Sequence, residues 1–216
     1  MNYLIDPFAN NEFMRLALFG GILVACTCAI AGTFVVLRGL AFVGDALAHG
    51  VLPGIATAML LGVSGIVGAA IGAAVMMGGV SVVSRRFRLS GDTAIGLLFV
   101  GMLALGVMIT SRSASFVGDL AHILFGELLG ITTTDLAWQF IALVIVGIIA
   151  FVGRRPFLLL SVDDGLARTS GFSARLFHNV MLAMVAITVI ASFQTVGTLL
   201  VLGMLIAPAA TGSLFA

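Results

Sequence analysis

The chain contains no lysine: arginine supplies all ten of its basic residues. A phosphate-cradling GxxxxGK[ST] loop needs that lysine, so the chain is not itself a P-loop ATPase. Charge of either sign is scarce, at 9% of 216 residues, where a soluble domain carries about a quarter. The net charge of +1 leaves no basic stripe to neutralise phosphates, which excludes nucleic acid as a partner. Cysteine is limited to Cys26 and Cys28. At i,i+2 they face different sides of a helix, so they read as small packing residues rather than a disulfide or metal pair. The zinc-hydrolase pattern HExxH is also missing, because "DALAH" (45–49) has neither its first histidine nor its glutamate, and an intramembrane metallo-enzyme would lack its base.

What is present is apolar length. Hydrophobic residues make up 61% of the chain and mean hydropathy is +1.26, the composition of an integral membrane protein. The opening "MNYLIDPFANNEFMR" lacks the basic start and short apolar core of a cleavable signal, and reads as an interfacial lead-in. With about 20 apolar residues per crossing, spans are predicted over 16–37, 40–61, 66–84, 93–111 and 136–153. The stretch from Asn179 onward has no charge and has room for two more, with a break near "SFQT" (192–195). The expectation is an all-α polytopic bundle of about seven spans in one permease-type domain, 1–216.

Basic residues set the orientation. With Arg38 in the cytoplasm, alternation also places Arg85, Arg86, Arg88, Arg154, Arg155, Arg168 and Arg175 there, leaving Arg15 and Arg112 outside. Segment 113–133 then begins and ends outside and reads as a short or re-entrant external helix. The cytoplasmic loop is 154–175. In it "DDGLARTSGF" reads as a short helix, capped at its start by Asp163 or Asp164 and stopped by Gly171.

Asp45 and His49 interrupt the second span. Four residues apart, they share a helix face, roughly 10 and 16 Å into the membrane counted from Arg38. An ionisable residue at that depth is by default a candidate site, and a carboxylate with an imidazole suits Mn(II), Zn(II) or Fe(II). A structural Asp–His hydrogen bond and a proton relay explain the same residues. Pro53 has no N–H for the carbonyl of His49. The GxxxG pairs Gly50/Gly54 and Gly68/Gly72 fit close helix packing as well as a pathway lining. A shorter echo, "FVGDLAHI" (116–123), brings Asp119 and His122 to one face on the external side, near Glu127 and Asp135. It either attracts cations or is the wet face of an external helix.

"GTFVVLRGLAFVGDALAHGVLPGIATAMLLG", "DLAHILFGELLGITTTDL", "DDGLARTSGF" and "TVGTLLVLGMLIAPAATGSL" together resemble the membrane permeases of bacterial manganese and zinc ATP-binding-cassette importers. They follow the family's order over nearly the whole chain. The resemblance implies a type II importer permease in the bacterial cytoplasmic membrane, a homodimer served by two cytoplasmic ATPase subunits and an external metal-binding lipoprotein or periplasmic protein. It implies that Asp45 and His49 lie on the metal path, and that Asp164, Ala167 and Gly171 belong to a coupling helix docked on the ATPase. The metal is then cargo, with no permanently bound cofactor. Family members continue beyond "PAATGSLFA" with at least one more helix, so the expected C-terminal helix is missing from this chain. The alternative is a proton-coupled secondary carrier using Asp45 and His49 as a relay.

Overall fold

The computed structural model describes residues 11–87, 91–111, 125–126 and 130–215. The described elements are all helical: α1 (Glu12–Leu37), α2 (Ala41–Gly50), α3 (Leu52–Leu60), α4 (Gly65–Phe87), α5 (Gly91–Thr110), α6 (Thr133–Val162), α7 (Asp164–Thr169) and α8 (Ala174–Phe215). Six stretches are long and apolar enough to cross a membrane, with α2 and α3 together forming one of them, Phe42–Leu60.

In α1 the buried positions are Gly20, Val24, Thr27, Cys28, Ala31, Gly32 and Val35, a stripe at helical spacing made mostly of small residues. Leu18, Phe19 and Ile22 on other faces are exposed, as expected of a lipid-facing surface. Small residues let backbones touch, and in a bilayer that contact replaces the hydrophobic drive between helices. A Cβ on Gly32 would collide with the backbone carbonyl of Leu205 in α8, so α1 and α8 meet backbone to backbone.

The 42-residue α8 is about 60 Å long at 1.5 Å per residue, twice a bilayer core. It is not one rod. Gly197 has φ 71° and ψ 166°, a conformation essentially confined to glycine. Before it, Phe177 stacks edge-on to Phe157 near the arginine-rich end of the bundle, and Phe193 reaches Gly65 at the opposite end. After it, Leu205 lies against Gly32 and Gly44, back towards Arg38. The chain therefore turns round at Gly197 and α8 crosses twice, which makes seven crossings among the described residues. The break sits beyond the expected "SFQT", because Ser192 and Thr195 stay helical and face inward.

The fifth span also differs from expectation. α6 does not stop at Gly153 but continues through Arg154, Arg155 and Pro156 to Val162. Pro156 removes one hydrogen bond, to the carbonyl of Val152. The extension is held by the burial of Pro156, Phe157 and Leu160, and the loop expected over 154–175 is mostly helix.

Candidate functional site

Asp45 and His49 lie one turn apart on α2, as their spacing requires. The carboxylate Oδ1 is 3.3 Å from His49 Nδ1, and the same nitrogen is 3.2 Å from the Asp45 backbone carbonyl. The side chains are 28% and 13% exposed, intermediate between core and surface, so the pair sits in the wall of the bundle with one side open. Its surroundings are aromatic. The His49 ring packs against Phe99 of α5 at 5.4 Å and 69°, and Phe99 packs against Phe42 at 6.2 Å.

The rest of α2 is anchored by buried apolar residues. Val43, Ala46, Leu47, Ala48 and Val51 are buried. At 100° per residue, 43, 46, 47 and 50 mark the side away from 45 and 49. Gly50 on that side meets Met76 of α4. One turn on, a Cβ on Gly54 would strike the Gly68 carbonyl and one on Gly68 would strike the Gly54 carbonyl. Gly72 faces the backbone of Val51. The two GxxxG motifs therefore pack on each other, and they fix the helix that carries the aspartate and histidine. A cleft of about 590 Å³ at the arginine-rich end, lined among others by Leu47, Met76, Arg175 and His178, opens on the far side of α2 from the pair.

Among the described residues, no three His, Cys, Asp or Glu side chains converge. The described part of one chain thus offers a two-donor face rather than a closed cage. Asp119 and His122 lie outside the described residues, as does Glu127. Asp135, read with them as either attracting cations or lining a wet helix face, caps α6: its Oδ2 accepts from the Thr132 N–H at 3.0 Å and from the Thr132 hydroxyl at 2.6 Å.

The short helix near the arginine-rich end is built from local chemistry. Asp163 caps it by accepting from the N–H groups of Gly165 and Leu166, and Asp164 opens it. Gly171 at φ 83° closes it, with Gly171 N–H on the Arg168 carbonyl and Phe172 N–H on the Ala167 carbonyl, the paired bonds of a Schellman motif. Ala167 faces the bundle. It is 0% exposed and packs with Leu160 and Ala174, because α7 needs one small buried contact to lie flat on the bundle. Gly165, Leu166, Arg168 and Thr169 are exposed. Behind them Phe172 touches Phe177 at 5.6 Å, Phe177 touches Phe157 at 6.2 Å and Phe157 touches Phe34 at 5.2 Å. This aromatic ladder joins the loop to α6, α8 and α1.

Sequence reasoning missed two features. Phe99 gave no signal among so many apolar neighbours. The second left one: Gln139, the single amide in its span, is buried with its Nε2 3.5 Å from the Ser192 hydroxyl, and its Oε1 accepts from Thr195 at 3.4 Å. These bonds tie α6 to the first arm of α8 just before the bend.

The chain resembles several characterised proteins along its whole length. It is 35% identical over 215 residues to the manganese transport system membrane protein MntC of Halalkalibacterium halodurans, covering 99% of this chain and 73% of that one. It is 36% identical over 203 residues to the chelated iron transport system membrane protein YfeD of Yersinia pestis, covering 94% and 68%. Among solved structures it superposes on PsaBC from Streptococcus pneumoniae in complex with Fab with a TM-score of 0.87 and 31% identity, covering 98% of this chain and 76% of that chain. A model of the ABC 3 transport family matches residues 10–216. Seven crossings, a two-donor face inside the second and this match over nearly the full length lead to one conclusion: the chain is a member of the ABC 3 transport family.

Proposed function

We propose that this chain is the membrane subunit of an importer that carries a divalent transition metal into the cell, with Asp45 and His49 as transient ligands on its path. The observation that carries the reading is the partly open Asp45–His49 pair within a membrane span. A carboxylate and an imidazole can replace part of an ion's hydration shell, and two donors per chain bind weakly enough to let the ion go. Relatives named for manganese and iron transport favour those metals as cargo, and zinc suits the same donors. Two copies of the chain about a twofold axis would complete the ligand set with water, and an external binding protein would deliver the ion.

Energy comes from ATP hydrolysed on separate cytoplasmic subunits. Positive-inside orientation puts the arginine-rich end in the cytoplasm, where α7 presents Leu166, Arg168 and Thr169 to a partner. Ala167 and Gly171 act by holding that helix in place. Membership of an ABC family favours this account over a proton-coupled carrier. Metal uptake by cells that depend on this importer is the test. Asp45→Asn and His49→Ala should each abolish uptake at unchanged membrane expression. Normal uptake with earlier melting in both variants would reduce the pair to a structural hydrogen bond.

A further inference from the structure

The His49 ring is held from two directions, and the two restraints leave one nitrogen available. Nδ1 faces the Asp45 backbone carbonyl at 3.2 Å and the Asp45 carboxylate at 3.3 Å. Both are acceptors, so a neutral imidazole here carries its proton on Nδ1 and keeps its lone pair on Nε2. Those bonds fix which edge of the ring faces Asp45, but at 3.2 and 3.3 Å they are long enough to tolerate some rotation of the ring about its bond to Cβ. The second restraint is Phe99, half-buried on α5 and packed against the imidazole at 5.4 Å and 69°. Phe99 is itself backed by Phe42.

From this geometry we infer that Phe99 is a positioning residue: its ring holds the His49 imidazole so that Nε2 is presented to the transported metal. The inference rests on reading His49 as a metal ligand. A histidine ligand is ordinarily oriented by a partner on its other nitrogen. Here Asp45 supplies that partner on the same helix, and an aromatic ring from a different helix sets the plane. The plane of His49 thereby depends on how α2 and α5 sit against each other. A movement between them would turn the imidazole and change its hold on the ion, which is what release requires. A leucine would fill most of the space at position 99 but offers no flat ring.

The test uses the complete permease–ATPase complex in lipid nanodiscs, titrated with Mn(II) and followed by electron paramagnetic resonance. Thermal unfolding of the metal-free complex is measured alongside. Phe99→Leu should weaken Mn(II) binding about tenfold, as loss of an orienting partner does, and Phe99→Tyr should restore it. In a His49→Gln background, Phe99→Leu should cost nothing more. Wild-type Mn(II) affinity in Phe99→Leu overturns the inference while leaving His49 as a ligand. So does an equal loss in the His49→Gln background, or a failure of Phe99→Tyr to recover binding although it melts like the wild type. Should His49→Gln by itself leave Mn(II) binding unchanged, the ligand reading and the inference fall together.

Discussion

Two of the described membrane helices are interrupted, and the interruptions do opposite things. At Pro53 the span containing the aspartate and histidine is divided into α2 and α3, yet it keeps its direction. Val51, between the halves, stays in the right-handed helical region at φ −80°, ψ −17°, and its N–H still reaches the Leu47 carbonyl at 3.2 Å. At Gly197 the chain reverses. A proline removes a donor but leaves its neighbours helical angles. A residue at φ 71°, ψ 166° cannot continue a helix at all. The first break loosens the ladder beside a candidate ligand, and the second builds the wall behind it: Leu205, on the returning arm, packs on Gly44, the neighbour of Asp45. A missing hydrogen bond thus shapes a site locally, whereas a backbone angle decides where a whole segment goes.

The sharpest way to break this contrast is Gly197→Ala. The alanine would meet a conformation that costs about 1–3 kcal/mol. Gly126, whose own Cβ would strike the backbone of Val196 and Gly197, leaves no room for relief. We expect a large fall in folded yield and melting temperature, read by fluorescence-detected size exclusion. Wild-type behaviour would mean that the bend is not specified by its glycine. Close behind comes Gly54→Val. Its side chain must push against the Gly68 carbonyl, an overpacking worth about 1–3 kcal/mol, and should displace α3 from α4. Gly21→Ala in α1, with nothing near its Cβ, is the matched control and should melt like the wild type.

A smaller effect is expected at the loop. Ala167→Glu would bury a charge against Leu160 and Ala174, so it should destabilise α7 and weaken ATPase binding together. Arg168→Glu, at an exposed position, should weaken binding at unchanged melting temperature. Pull-down with the ATPase, alongside melting curves, separates the two. A small change in stability is expected for Pro53→Ala. It returns one backbone donor towards the carbonyl of His49, worth about 1 kcal/mol, and should move the melting temperature little while altering metal uptake. An unchanged uptake rate would show that the break at Pro53 is packing geometry only.

The sequence alone determined that this is a membrane bundle, where most spans begin and end, and that Asp45 and His49 share a face. Each of these follows from interactions within a few residues: uninterrupted apolar length, arginines at the ends, and the 3.6-residue turn. The short α7 was legible for the same reason, since its Asp163 cap and Gly171 stop act on adjacent backbone. The tertiary structure decided what depends on contacts between distant segments. Ala167 looks like a surface residue in "DDGLARTSGF", and only the packing of α7 on Leu160 and Ala174 buries it. α6 outruns Gly153 because Phe157 and Leu160 find a buried seat. The bend falls at Gly197 rather than at "SFQT" because Gln139 engages Ser192 and Thr195 from another helix and glycine alone accepts the turn. Phe99 becomes part of the site because α5 lies across α2, and an apolar residue in an apolar run carries no mark of the neighbour it will meet.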